Sequence, residues 1–318
     1  MTTQIRALLI KTVLLLISSV FIYVFIFIFV PAALGNGDEP SHAAGNPAAE
    51  YTVLQLEPPA VPEDHFPAAP EQMLPHNKAS HLPVLVYHHL APAELHLHRN
   101  NPMILPVETF RQQMEYLKKH NYYTPTLAEV EAYVWGRLDL PAKSVLITFD
   151  DGYESNYQYA HPILADLGLT AVVFIIGAET GSGEEGIFDP SVVTYLSWNQ
   201  ITAMCNSDVW EIGSHTYHGH KKDAGIPILP VWSTEEARAD FTALNDRFAV
   251  EGLSKPTAIA YPYGAHSPAA LSAASHSGYR LGFTVEPGFV RPGDEPLKLA
   301  RQGVFPWHGV EQFAELLQ

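Results

Sequence analysis

The sequence has little of two things that would point to other classes of protein. Its 318 residues include a single cysteine, Cys205, which excludes a disulfide within the chain and is typical of core packing. They also include only 18 Lys and Arg against 34 Asp and Glu, a formal net charge of −16 at pH 7, without any basic run. Binding to nucleic acid needs clustered Lys and Arg, so the sequence argues against a nucleic-acid partner.

The longest uncharged apolar run covers residues 12–35 and follows Arg6 and Lys11. The run exceeds the roughly 20 residues that cross a bilayer. It is also longer than the roughly 7 to 15 residues of a signal-peptide core. The sequence therefore predicts that residues 1–35 form a single-pass membrane anchor with the basic end in the cytoplasm and the rest of the chain outside. Cleavage as a signal peptide near Gly35 is the alternative, and it would give a secreted protein.

The composition changes after the apolar run. Residues 36–80 are rich in Pro, Ala, Glu and His and show no periodicity. Proline at this density removes backbone donors and disfavours both helix and sheet, so this segment is predicted to be an extended linker. We expect a globular domain over residues 81–318.

Short apolar runs alternate with helical patterns throughout that domain. The runs are rich in β-branched and aromatic residues and are apolar on both faces, as buried parallel strands are. Strands that alternate with helices in this way predict a parallel α/β sheet, either open or closed into a barrel. The predicted strands are residues 84–87, 144–149, 171–176, 210–213, 258–261 and 281–285.

Polar clusters follow directly after three of these predicted strands. In parallel α/β folds the carboxyl ends of the strands share one edge, where ligands bind. We therefore expect the three clusters to form one site. The clusters are Asp150-Asp151-Gly152, the stretch SHTYHGH from Ser214 to His220, and Pro262-Tyr263-Gly264.

The residue types in these clusters favour metal chemistry. Asp150 and Asp151 would repel each other if both were ionised and close, unless a cation neutralised one of them. One aspartate and two histidines supply the three protein ligands of a catalytic zinc site and leave positions for water and substrate. The second aspartate is then free to accept a proton from water. The same ligand set also holds iron in ferrous oxygenases, which is one alternative interpretation.

The motifs VLITFDDGY, EIGSHTYHGH and AYPYG, in this order, resemble those of the polysaccharide deacetylase family. These carbohydrate esterases share the homology domain of the nodulation chitooligosaccharide deacetylase. The resemblance runs from Pro83 to the end, about three quarters of the chain, and identifies residues 81–318 as the catalytic domain. It implies a distorted (β/α) barrel of about seven parallel strands. It also implies a divalent metal, usually zinc, and hydrolysis of acetamides on N-acetylglucosamine polymers.

The resemblance also assigns roles to residues. Asp150 matches the catalytic base, Asp151 matches a metal ligand, and the backbone N–H of Tyr263 matches an oxyanion donor. Most members of the family carry an arginine before the PYG motif, and it positions the catalytic aspartate. Ala260 stands at that place here. We therefore expect something other than residue 260 to orient Asp150.

The two histidine ligands are expected to be His215 and His220. Most of the family spaces these ligands four apart, but position 219 is Gly, which has no side chain to bind a metal. A branch that includes deacetylases of poly-N-acetylglucosamine uses a spacing of five, which His215 and His220 match. His218 is the competing candidate.

The general acid is less clearly marked. The family often uses a late histidine, and the stretch LARQGVFPWHGV offers His308 for this role. His88 and His89, which follow the first predicted strand, are other candidates, and Asp150 is a third once it has accepted a proton. Three aromatic side chains are candidates for stacking on sugar rings. They are Tyr153, Trp232 and Trp307.

Together these features predict metal-dependent de-N-acetylation of an extracellular N-acetylglucosamine polysaccharide by a domain attached to the membrane through its N-terminal segment. The histidine spacing and the AYPYG form favour poly-N-acetylglucosamine, with peptidoglycan as the second choice. A non-catalytic glycan-binding module on the same barrel is the alternative from another functional class. The intact set of Asp150, Asp151, His215 and His220 argues against it.

Overall fold

The computed structural model describes residues 78–99, 101–181 and 188–318. The predicted anchor at residues 1–35 and nearly all of the predicted linker lie outside these ranges. Within them, no helix combines the length and the apolar composition that a membrane span requires.

Eleven strands and seven α-helices are found in the described part of the chain. The strands are β1 (Val84–Tyr87), β2 (His89–Ala91), β3 (Ile104–Pro106), β4 (Leu146–Phe149), β5 (Ala171–Ile175), β6 (Trp210–Ser214), β7 (Lys222–Asp223), β8 (Ile226–Pro227), β9 (Ala258–Ala260), β10 (Leu281–Phe283) and β11 (Gln302–Gly303). The helices are α1 (Val107–Lys119), α2 (Leu127–Val134), α3 (His161–Leu167), α4 (Trp198–Cys205), α5 (Thr234–Val250), α6 (Pro268–His276) and α7 (Val310–Glu315).

A parallel sheet of seven strands forms the centre of the fold, in the order β10-β9-β6-β5-β4-β1-β11. Six of these strands are the ones predicted from the apolar runs. Six strands of this sheet are neighbours in the order in which they occur along the chain, namely β1, β4, β5, β6, β9 and β10. A crossover connection joins each of them to the next parallel strand. The α/β class and the number of parallel strands are therefore confirmed.

The two faces of the sheet carry separate hydrophobic clusters, because successive side chains of a strand point to opposite faces. Leu85, Ile147 and Val173 belong to the larger cluster, which includes Phe110 and Met114 of α1. The alternate positions, such as Leu146 and Phe174, pack instead with side chains of α2. The short strands are therefore buried on both faces, which explains why they read as continuous apolar runs.

Helix boundaries agree with sequence signals in several places. A capping box begins α5: Ser233 accepts the N–H of Glu236, and the Glu236 carboxylate accepts the N–H of Ser233. Two further capping boxes begin α2 and α4. Such caps satisfy backbone donors that a helix leaves unpaired in its first turn.

The segment 299–304 connects the two edges of the sheet. Thr284, just after β10, donates its N–H to the Leu299 carbonyl at 2.9 Å. Further along, Val304 donates to the Val86 carbonyl of β1 at 3.1 Å. The edge strands β10 and β11 are not neighbours in the sheet. Strand β11 has only two residues, which is too short for its apolar pattern to be recognised in the sequence.

Candidate active site

The predicted clusters come together at the carboxyl edge of the sheet. Asp150 and Asp151 follow β4, His215 follows β6, and Tyr263 follows β9. With His220, these residues line one cavity of about 570 Å³. The remaining wall of this cavity is mostly apolar and includes Val86, Met103, Val285, Pro287, Val304 and Phe305.

Asp151, His215 and His220 direct their ligand atoms toward a common point. The Nε2 atoms of His215 and His220 lie 3.3 and 3.2 Å from Asp151 Oδ1. One ligand atom from each of the three residues falls within 4.8 Å of the others. Burial acts to raise the pKa of Asp151, but its contacts with the two imidazoles outweigh burial and hold that pKa well below the usual value. The three side chains form a possible metal site.

The backbone after β9 orients His215. Its Nδ1 lies 2.8 Å from the carbonyl oxygen of Ala260. A carbonyl can only accept, so we assign a proton to Nδ1, and Nε2 is the ring nitrogen that faces Asp151. Tyr263 supports His220 in a looser way, with its hydroxyl 3.3 Å from His220 Nδ1.

The loop between the two histidines leaves little room at position 219. A Cβ atom at position 219 would lie 2.9 Å from Thr216 Oγ1, so this residue must be small. His218 is exposed and is not part of the metal-binding group. His220 is the histidine of this loop that lies beside Asp151.

Asp150 is held by a residue that sequence reasoning missed. Nη1 and Nη2 of Arg301 donate to the two carboxylate oxygens of Asp150 at 2.8 and 2.7 Å. Arg301 is only 1% exposed, and its Nε donates to the Thr284 carbonyl at 2.7 Å. Arg301 takes the orienting role that Ala260 cannot fill. The only signal for it in the sequence was one arginine within the stretch LARQGVFPWHGV, 151 positions after Asp150.

The Asp150–Arg301 pair sets the charge at this point of the cavity. Burial alone would raise the pKa of Asp150, but the charge of Arg301, with a contribution from His215, outweighs burial and lowers that pKa. Asp150 is therefore ionised at neutral pH. The two-pronged contact also fixes the direction of the carboxylate, as arginine does better than lysine.

The candidates for general acid lie in different places. His308 is not among the residues that line the cavity, and its Nδ1 accepts the N–H of Phe305 at 3.2 Å in a local turn. His88 lines the cavity, and its carbonyl accepts Asn156 Nδ2 at 2.9 Å. Burial lowers the pKa of His88, although Asp151 and Asp150 oppose this shift. Of these two histidines, His88 is the one that lines the cavity.

His89 is separated from the cavity although it is adjacent to His88 in the chain. It is 3% exposed, and its Nδ1 lies 3.0 Å from the hydroxyl oxygen of Ser155. Burial lowers the pKa of His89 to about 4. Its hydrogen bond and its neutral state at pH 7 are those of a packed core histidine.

The three predicted stacking aromatics also differ in position. Tyr153 stacks on Tyr195, and Trp232 packs beside a hydrophobic cluster under α5 and α6. Trp307 is 63% exposed and stacks on Phe305, with ring centroids 4.9 Å apart and an interplanar angle of 14°. Because Phe305 lines the cavity, Trp307 extends an aromatic surface outward from it.

Comparison with known proteins gives a consistent set of relatives. The family described as polysaccharide deacetylase matches residues 137–282. YxkH of Bacillus subtilis (strain 168), which is assigned to the polysaccharide deacetylases, is 30% identical over 211 residues, 66% of this chain and 67% of that protein.

Two relatives have a named substrate. The poly-beta-1,6-N-acetyl-D-glucosamine N-deacetylase of Escherichia coli (strain K12) is 27% identical over 58% of this chain and 31% of its own length. The enzyme of the same name from Staphylococcus aureus (strain N315) is 27% identical over 60% of this chain and 64% of its own length. The similarity thus covers less than two thirds of either enzyme.

Solved structures share the fold. IcaB from Ammonifex degensii superposes with a TM-score of 0.65 and 31% identity, over 77% of this chain and 100% of that chain. The Streptococcus pyogenes deacetylase PplD, solved in complex with acetate, gives a TM-score of 0.64 over 75% of this chain and 98% of that chain. At 24% identity this second likeness concerns the fold alone.

Proposed function

The chain belongs to the polysaccharide deacetylase family, and we propose on this premise that it removes acetyl groups from an extracellular N-acetylglucosamine polysaccharide resembling poly-N-acetylglucosamine, releasing acetate. One observation carries the proposal. The ionised Asp150, held by Arg301, lies in the same cavity as the group formed by Asp151, His215 and His220. A base beside a metal-binding group is the arrangement that metal-assisted hydrolysis requires.

The residues fit a divalent cation. Asp151 Oδ1 is buried and accepts no hydrogen bond of normal geometry, yet two imidazole nitrogens lie within 3.3 Å of it. A positive charge between these atoms would satisfy the carboxylate and both nitrogen lone pairs. Two histidines and one aspartate are ligands that zinc accepts, and we propose zinc as the native metal. When bound, this ion would supply polarisation of the acetamide carbonyl and of a water molecule.

Asp150 is proposed as the general base. Its lowered pKa keeps it ionised at neutral pH, so it can accept the proton of a water molecule that attacks the acetamide carbon. Arg301 fixes both carboxylate oxygens, which removes the need to reorient the base during the reaction. The new C–O bond places negative charge on the former carbonyl oxygen.

Two further groups complete the proposed reaction. The backbone N–H of Tyr263, in the cavity wall where φ is 60°, would donate to the developing oxyanion. A preorganised donor of this kind typically lowers a barrier by about 3 to 4 kcal/mol. As the C–N bond breaks, the leaving nitrogen gains a proton from Asp150, which took it from water, or from His88. The products are acetate and a free glucosamine amine.

The likeness to two poly-beta-1,6-N-acetyl-D-glucosamine N-deacetylases and the exposed Trp307–Phe305 stack support the choice of polymer. The test is acetate release by the purified full chain from poly-N-acetylglucosamine, peptidoglycan and chitin oligomers, with the Asp150→Asn variant as blank. We expect the fastest release from poly-N-acetylglucosamine. Faster release from peptidoglycan would reassign the substrate, and release from none above the blank would reject the proposal.

We also propose that the domain acts outside the cytoplasmic membrane. The basic flank and the length of the apolar run at residues 12–35 support this location. Protease added to intact cells should cut the proline-rich linker and release an active fragment. Complete protection of the domain from the protease would place it in the cytoplasm instead.

A further inference from the structure

The loop between the two histidine ligands, residues 216–219, is held by a side chain from a distant helix. Asp240 of α5 accepts the backbone N–H of Tyr217 at Oδ1, 2.7 Å away, and that of His218 at Oδ2, 2.6 Å away. One carboxylate therefore binds successive backbone donors of the loop that ends at His220.

The opposite side of this loop is bonded to the exit of β5. Gly177 donates its N–H to the Thr216 carbonyl at 3.0 Å, and Ala178 donates to the Tyr217 carbonyl at 3.0 Å. The carbonyls of the loop are thus paired with the sheet side, whereas its N–H groups are paired with Asp240. Backbone groups satisfied from both sides leave the loop few alternative conformations.

The position of Asp240 is itself well defined. The residue is 9% exposed and lies in the second turn of α5, a helix of 17 residues that begins with the capping box at Ser233. A buried carboxylate is costly unless donors satisfy it, and here the donors are the loop amides. Asp240 and the loop therefore depend on each other.

We infer that Asp240 is a positioning residue for the metal site, which fixes loop 216–219 so that His220 Nε2 stays beside Asp151 before any metal arrives. The inference rests on the proposed metal site, but it concerns a residue that touches neither metal nor substrate. Partners that orient metal ligands typically change metal affinity by about 10- to 100-fold when they are removed.

The test compares Asp240→Asn with Asp246→Asn. Asp246 is an exposed aspartate on the same helix, so it controls for the loss of one carboxylate from α5. Asparagine at 240 keeps the shape and one acceptor oxygen but loses the charge and the second acceptor. Zinc affinity of the metal-free full chain, measured by competition with a chromophoric chelator, should fall about 10- to 100-fold for Asp240→Asn and stay within about twofold for Asp246→Asn.

Amide hydrogen exchange of the metal-free chain gives a readout that does not depend on activity. We expect the Tyr217 and His218 amides to be protected in the wild type and to exchange faster in Asp240→Asn, with the amides of β5 and β6 unchanged. Asp240→Glu, which restores the charge, should recover part of the zinc affinity.

Equal zinc affinity of the wild type and Asp240→Asn would overturn the inference. Fast exchange of the Tyr217 and His218 amides in the wild type would also overturn it, even if the variants failed to fold. A wild-type chain that binds no zinc would instead reject the proposed metal site, so the two failures are distinguishable.

Discussion

The two halves of the candidate site are built in different ways. The metal half consists of Asp151, His215 and His220, which come from two short motifs directly after β4 and β6. The proton half consists of Asp150, Arg301 and His88. Asp150 directly follows β4, Arg301 directly precedes β11, and His88 directly follows β1. The first half depends on local sequence and the second on how the edges of the sheet are joined.

The two halves also differ in charge. The metal half gathers one carboxylate and two nitrogen lone pairs, an arrangement that a cation completes. The proton half already contains its cation, because the guanidinium of Arg301 is fully buried against Asp150. A buried ion pair is strongly destabilised when one partner is removed, since the other charge stays buried. Changes in the proton half should therefore affect rate and stability while leaving the metal in place.

The largest expected effect comes from exchanging each aspartate for asparagine in turn. Asp150→Asn cannot accept a proton at neutral pH, so the rate of acetate release should fall about 10² to 10⁴-fold while zinc content stays full. Asp151→Asn should weaken the metal instead, because an amide oxygen is a poorer ligand, and added zinc should restore part of its activity. Acetate release at rising zinc concentration, with zinc stoichiometry, measures both.

The outcome separates the two halves. Rescue of Asp150→Asn by zinc, without rescue of Asp151→Asn, would mean that the two roles are reversed. Unchanged rates in both variants would mean that this site does not carry the reaction.

The second prediction concerns the general acid. His88→Gln should lower the rate of acetate release by about 10²-fold, because His88 lies in the cavity wall. His308→Gln is the matched control and should stay within about twofold, since His308 bonds only within its own turn and to α1. The opposite ranking would return the role to His308. Full activity in both would leave Asp150 as the proton donor.

The sequence predicts that the members of the metal half lie together, but it predicts only part of the proton half. The apolar runs of β4 and β6 can be recognised in the sequence, and Asp150, Asp151 and the histidine loop follow these strands directly. Because the carboxyl ends of parallel strands share one edge of the sheet, these residues are expected to lie close together. Arg301 is separated from Asp150 by 151 positions and lies beside a strand of two residues. No local pattern records such a contact, because it arises where segment 299–304 passes between the two edges of the sheet.

Asp240 likewise leaves no local signal in the sequence. On the sequence it is one of several acidic residues of a helical pattern, and its partners are backbone N–H groups, which every residue except proline carries. Its role depends on where the loop 216–219 passes α5. That path is a property of the packed structure rather than of either segment.

The third prediction tests the arginine. Arg301→Lys keeps the charge beside Asp150 but loses the planar pair of donors that fixes both carboxylate oxygens. We expect a loss of about 10- to 100-fold in rate from the misoriented base, with zinc affinity unchanged. Arg291→Lys, at an exposed arginine of the neighbouring loop, is the control and should behave as the wild type. Loss of zinc in Arg301→Lys would show that the two halves are not separable.

The smallest expected effect is that of replacing His218, which tests whether this histidine belongs to the metal half. His218 is exposed, and the contact that it contributes to the loop is its backbone N–H, which donates to Asp240. Alanine retains that N–H, so His218→Ala should keep full zinc content and an affinity within about twofold of the wild type. His220→Ala removes a nitrogen that lies 3.2 Å from Asp151 Oδ1 and should abolish tight zinc binding. Zinc per chain after dialysis, together with a competition titration, distinguishes the two variants. If His218→Ala loses the metal while His220→Ala keeps it, the loop presents the other histidine in solution and the ligand assignment is wrong.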